Sequence, residues 1–207
     1  MRSAIIFLDW DTARRLGPRP SIATKDLKRA AREVEGVFNA LQPVVAAHLK
    51  SVDAKTPFRV RWRLYHGWYT GTSKTDDMRA VEQYRLVARS TVIDLVSFGA
   101  DIEIADRMLC AGPRMPLFDT LRSQIDGDPG ALRQKMVDTG LVGDLLWSVR
   151  SAKDDIHVVI GDDDDLLPGI FMADQWGAKV HMLRRQAGSR HLKTAGLVTI
   201  LPDRNAA

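Results

Sequence analysis

A chain of 207 residues that is 45% hydrophobic and 27% charged is long enough for one sizeable core and ordinary in composition for a globular domain. The apolar run AIIFL stops at Asp9, too short for a signal-peptide core or a membrane span, and the lone Cys110 can form neither an internal disulfide nor a thiolate zinc site. A reducing cytoplasmic setting without a membrane partner is expected, with Cys110 as a small buried hydrophobe, and the net charge of +4 suits a polyanionic partner.

Residues 3–8 form a continuous apolar run with β-branched content, the pattern of a parallel strand covered on both faces. After Gly17-Pro18, the stretch from Asp26 to Lys50 carries Leu27, Ala30, Ala31, Val34, Val37, Phe38 and Leu41 at helical spacing, and Pro43 is expected to end or kink that helix. Residues 57–66, PFRVRWRLYH, alternate: Phe58, Val60, Trp62 and Leu64 share one face, Arg59, Arg61 and Arg63 the other. A helix over Asp76 onward follows, with the β-branched run from Thr91 able to turn into a strand, and DIEIADRML (101–109) reads as a short third strand. Residues 111–130 are a breaker-rich loop. The spacing of Leu132, Met136, Leu141, Leu145 and Val149 predicts a helix over 131–152 with those side chains inward. Ile156–Ile160 is a strand, LLPGIFMADQW a helix and AKVHML another strand. This alternation is that of a doubly wound α/β sheet, mostly parallel, with helices on both faces. It is read as a single domain over 1–203 with a frayed tail at 204–207.

In such folds ligands bind beyond the carboxyl ends of the strands, where the strand order reverses. IIFL and HVVI both deliver acids there: Asp9 and Asp11 after the first, Asp162, Asp163, Asp164 and Asp165 after the second. If the strands are neighbours the carboxylates repel one another, and a divalent cation with oxygen ligands is the usual remedy. Capping of the following helix accounts for one or two of the four consecutive acids, not for all.

Two families resemble this arrangement. IIFLDWDTA is similar to the start of the haloacid dehalogenase-like phosphatases, an apolar strand followed by DxDx and Thr or Val, although Ala13 stands where the family has Thr or Val. That resemblance implies Asp9 as a nucleophile and Asp11 as acid/base. The chain also resembles the NYN domain, a branch of the PIN-like nucleases with a Rossmann-like three-layer fold. The matching parts are Asp9-Trp10-Asp11-Thr12 for its DxxN, Lys135-Met136-Val137-Asp138 for its KxxD, and IGDDDDLLPGI for its SGDxDFxPL. Aligned on Pro168, the late motif takes Asp163 and Asp165 as its acids; a one-residue slip would take Asp162 and Asp164. Thr12 replaces the family's Asn and Leu166 its Phe.

KMVD favours the second resemblance. It implies a metal-dependent nuclease acting on RNA, with Asp9, Asp138, Asp163 and Asp165 holding Mg²⁺ or Mn²⁺ and Asp11, Thr12, Lys135 and Asp162 beside the site. A non-catalytic nucleic-acid-binding module of the same fold is the other reading that Thr12 leaves open. Asp144, about 240° round the helix from Asp138, is expected to be structural. Arg14, Arg59, Arg61, Arg63 and Trp68 are candidates for holding single-stranded nucleic acid by charge and stacking, against the alternative of an ordinary strand whose Arg stems cover apolar surface. His66 is expected in a loop and not as a ligand, and Trp10 and Trp176 as packed side chains.

Overall fold

The computed structural model describes residues 1–16, 26–110, 116–123, 132–185, 194 and 196–201. Its centre is a seven-stranded sheet in the order β11-β10-β9-β1-β2-β6-β5, built from β1 (Arg2–Asp9), β2 (Phe58–Tyr65), β5 (Thr91–Ile93), β6 (Val96–Ile104), β9 (Ile156–Ile160), β10 (Lys179–Arg184) and β11 (Val198–Ile200). All neighbours are parallel except β5, which runs antiparallel to β6. The short pairs β3–β4 (Tyr69–Thr70, Ser73–Lys74) and β7–β8 (Leu121–Ser123, Leu132–Gln134) lie outside it.

β1 is central, and its residues divide between two cores. Ala4, Ile6 and Leu8 join the buried side chains of α2 (Leu27–Val52) and α3 (Asp76–Val87). Ile5 and Phe7 join those of α4 (Val137–Ser151) and α5 (Leu167–Gln175). A strand with both faces covered has to be apolar at every position, which is why IIFL does not alternate. From β1 the chain winds outward through β2 and β6, then returns to the other side of β1 and winds out through β9, β10 and β11. The reversal therefore falls between β1 and β9, which pair from Ala4↔Ile156 to Leu8↔Ile160.

On the first face Phe38 stacks on Tyr84 with ring centroids 5.1 Å apart and meets Trp62 edge-on at 5.2 Å. α2 is capped by Asp26, whose carboxylate accepts from the amides of Lys28 and Arg29. It does not end at Pro43 but runs on to Val52. Pro43 and Asn39, whose carbonyl loses its partner, are both on the exposed side, so water can serve that carbonyl while Leu41, Val45 and Leu49 keep the helix on the core. On the second face α4 and α5 pack closely at Gly169, where a Cβ would stand 2.6 Å from Val142 Cγ1.

Three further expectations need correction. The helix predicted over 131–152 begins only at Val137: Leu132–Gln134 pairs with Leu121–Ser123 instead, and Met136 sits in the left-handed region at φ 66°. Leu132 and Met136, predicted inward, are 51% and 42% exposed. Cys110 is exposed, not buried, and Trp176 is exposed whereas Trp10 is packed. The run from Thr91 does form a strand, returning into β6 through Asp94 and Leu95, both at positive φ as a two-residue hairpin turn requires. Gly17-Pro18 and the tail from 202 onward lie outside the described residues, as does much of the loop at 111–130. No helix among the described residues is long and apolar enough to cross a membrane.

Candidate metal and phosphate site

A cleft of about 850 Å³ opens at the carboxyl ends of β1 and β9, at the point where the strand order reverses. Asp9, Asp11, Thr12, Arg14 and Arg15 line it from the end of β1 and from α1 (Trp10–Leu16), His66 from the end of β2, and Asp77 from the start of α3. The β7–β8 hairpin contributes Leu121, Leu132, Arg133 and Gln134; Asp138 comes from the first turn of α4, and Asp162, Asp163 and Asp164 from the loop after β9.

Asp9 ends its strand by capping the next helix. Its Oδ1 accepts from the Asp11 amide, and its Oδ2 from the Thr12 amide at 3.2 Å and the Thr12 hydroxyl at 2.6 Å. The same hydroxyl accepts from the Asp162 amide at 3.1 Å, so Thr12 ties the end of β1 to the loop after β9. Burial nevertheless holds the Asp9 carboxyl above the usual range, with the Asp11 charge adding to it against the pull of the Thr12 bonds.

The acids of the cleft, with Asp165 just outside its lining, fall into two sets. Asp11 and Asp77 share Arg14, Asp162 pairs with Arg185 at 2.9 Å, and Asp164 with the buried Arg184 at 2.7 Å. Arg184 also donates to the Asp162 carbonyl, and the Arg185 amide to the Asp162 carboxylate. Asp9, Asp138, Asp163 and Asp165 have no ion-pair partner among the described residues. They also act on one another: Asp138 is pushed up to about 6, by partial burial first and then by the charges of Asp163, Asp9 and Asp165. The slip that would choose Asp162 and Asp164 as the working acids is disfavoured, because arginines already occupy both. Asp163 accepts from the Asp165 amide at 3.0 Å and starts a short 3-10 turn, so it caps as well.

Whether these four suit a cation is a question of donor type and reach. Four unneutralised carboxylates are the oxygen ligands that Mg²⁺ and Mn²⁺ select. Among the described residues no three acid, His or Cys side chains stand close enough as placed to hold one ion together. Mg²⁺ commonly keeps several waters and takes one or two carboxylates directly, and Asp138, Asp163 and Asp165 are exposed to water, so the donor chemistry fits.

A closed ring of polar side chains forms the opposite wall. Arg14 bridges Asp11 and Asp77; Asp77 faces His66 Nε2 at 3.5 Å; Gln134 Nε2 donates to Asp11 and approaches His66 Nδ1 at 2.8 Å. With the Gln134 amide as donor, His66 Nδ1 is the acceptor and Nε2 carries the proton toward Asp77. Trp10 Nε1 also donates to Asp77 at 3.0 Å. Burial raises the Asp77 carboxyl, but His66, Arg14 and Trp10 outweigh it and hold it below the usual range. The sequence showed Asp77 only as an acid in a helix's first turn, gave no reason to notice Gln134, and placed His66 in a loop without a role.

The expected nucleic-acid contacts change most. Arg63 is 4% exposed and buried against Asp144, which accepts from Arg63 Nε and Nη2 at 2.9 and 2.7 Å, from Tyr65 Oη at 2.9 Å and from the Leu109 amide. Asp144 is thus structural as expected, and Arg63 is its counter-charge, not a substrate contact. Trp68 is buried in the first core, its Nε1 bonded to the Leu64 carbonyl, because its loop folds back on the sheet. Arg59 and Arg61 are exposed, but they occupy the first half of β2, at the end of the sheet away from the cleft, where Arg59 pairs with Asp101. Arg14 is in the cleft but committed to two acids. Lys135 is exposed beside the cleft without lining it, and its amide donates to Thr120.

No family model matches the chain, and no curated protein and no solved structure is significantly similar to it.

Proposed function

We infer that the protein is a metal-dependent nuclease of the NYN and PIN-like kind, hydrolysing phosphodiester bonds in single-stranded RNA. One observation carries the reading: of the acids gathered at the reversal of strand order, arginines neutralise Asp11, Asp77, Asp162 and Asp164, while Asp9, Asp138, Asp163 and Asp165 have no ion-pair partner among the described residues and the charges of the other three raise the Asp138 carboxyl. Such a set is costly without a cation. These four residues would hold Mg²⁺ or Mn²⁺, which supplies a more acidic water for in-line attack and compensates charge on the departing oxygen. Thr12 fixes the orientation of the Asp9 carboxylate, and Arg184 and Arg185 hold the acidic loop so that Asp163 and Asp165 stay outward. RNA as the polymer rests on the resemblance to the NYN domain.

The haloacid dehalogenase-like reading needs Asp11 as a free acid/base, and Arg14 and Gln134 occupy it. The test is cleavage of end-labelled single-stranded RNA with Mg²⁺ or Mn²⁺, expected in the native protein and abolished in Asp9→Asn and Asp163→Asn. Turnover of a small phosphate monoester with phosphoryl trapping on Asp9 would instead establish the phosphatase. RNA binding with no cleavage under any divalent ion would leave a binding module of the same fold.

A further inference from the structure

A cleft whose working groups are carboxylates repels the phosphates it is meant to admit, so cations must stand beside them. Arg14 cannot serve, being shared by Asp11 and Asp77. The remaining arginines lining the cleft are Arg15, on α1, and Arg133, on the β7–β8 hairpin. Both are exposed, and neither has an ion-pair partner among the described residues. Among the described residues the buried arginines are neutralised by acids, Arg63 by Asp144 and Glu103 and Arg184 by Asp164, so two uncommitted guanidinium groups beside unpaired carboxylates stand apart.

The hairpin adds an apolar element. Leu121 and Leu132 line the same cleft, and Leu132 is half in solvent with no core to join. A duplex shows such a surface only its phosphates and groove edges, whereas a single strand can lay base faces on it.

We propose that Arg15 and Arg133 bind the phosphates flanking the carboxylate cluster while Leu121 and Leu132 receive unpaired bases, making the cleft a track for single-stranded nucleic acid. The proposal rests on the nuclease reading for its polymer substrate, but it concerns binding and is separable from cleavage. It also moves nucleic-acid recognition from the arginines of β2, at the far end of the sheet, to the cleft itself.

The experiment is fluorescence anisotropy of a short labelled oligouridylate with the full chain, without Mg²⁺ or Mn²⁺, over about 50 to 200 mM KCl. Arg15→Gln and Arg133→Gln should each weaken binding and lower the slope of log affinity on log salt by about 0.7, one phosphate each on a single strand. Arg59→Gln, at the other end of the sheet, should leave slope and affinity unchanged. Leu132→Ser should weaken the single strand without changing the slope, and a duplex of equal length should compete poorly. Unchanged slopes in both arginine variants, or no binding by the native protein, overturn the proposal, and equal competition by duplex overturns its single-strand part. Arginine-dependent binding without cleavage under any divalent ion would sink the nuclease reading and leave the track standing; cleavage indifferent to both arginines would do the reverse.

Discussion

Replacing Thr12 by Val tests how the two halves of the sheet are joined at the cleft. The substitution nearly preserves shape and removes one hydroxyl, which is 2% exposed and makes two bonds, to Asp9 Oδ2 at 2.6 Å and from the Asp162 amide at 3.1 Å. Losing a hydrogen bond to a charged acceptor costs about 2 kcal/mol, and leaving a partly buried amide without a partner costs about 1 kcal/mol more. The expected destabilisation is therefore roughly 3 kcal/mol, or about 6 to 12 °C in Tm for a chain of this size. Thr12→Ser keeps the hydroxyl and should stay within about 1 kcal/mol of the native protein. Urea unfolding of the three proteins, followed by tryptophan fluorescence and far-UV circular dichroism together, measures both differences. A Val variant within about 0.5 kcal/mol of the native protein would refute the claim that the hydroxyl links β1 to the loop after β9.

Mn²⁺ at about a hundred times its dissociation constant should stabilise the fold by about 2.7 kcal/mol, an effect expected to be much reduced in Asp138→Asn; equal stabilisation of both proteins, read by calorimetry, would remove Asp138 from the site. His157 is fully buried on β9 with its Nε2 3.1 Å from Ser148 Oγ, and burial lowers it to about 4. It stays neutral in the fold while the unfolded chain takes up a proton, so its stabilising contribution is complete above about pH 6.5 and falls by on the order of 2 to 3 kcal/mol toward pH 4. Native and His157→Gln proteins compared by urea unfolding across that window should therefore converge at the acid end, and parallel curves would contradict the assignment. Asp144→Asn removes the buried one of Arg63's two charge partners and leaves only the half-exposed Glu103, which should cost about 3 kcal/mol, whereas the double change Arg63→Met, Asp144→Leu should recover much of it with oligouridylate affinity unchanged; loss of affinity in the double variant would return Arg63 to the nucleic-acid surface.

Periodicity along the chain was enough to place the central strands. Ile156–Ile160 is observed as expected, 57–66 contains β2 with Phe58, Val60, Trp62 and Leu64 inward, and the fully apolar β1 lies between two layers. Hydrophobic burial acts residue by residue, so its pattern is written locally. The same reasoning brought Asp9 and the acidic run to one edge, since parallel strands of one sheet deliver their carboxyl ends to the same side, and the fold makes β1 and β9 neighbours there.

What the chain could not show by itself was which groups are already satisfied. Arg59, Arg61 and Arg63 are equivalent by alternation, yet only Arg63 meets a buried carboxylate, 81 residues away, because α4 crosses β2 there. Four consecutive acids at 162–165 look alike until Arg184, at the end of β10, and Arg185, just after it, meet two of them. Leu132–Gln134 has helical spacing, but pairing with Leu121–Ser123 draws it into a hairpin and brings Gln134 to Asp11, 123 residues apart. The sequence alone therefore determined the strands and the edge where acids collect, because apolar period and strand direction are properties of the local chain. Tertiary structure decided which charges remain unpaired at that edge, because a charge is neutralised through space by whatever element the fold sets against it.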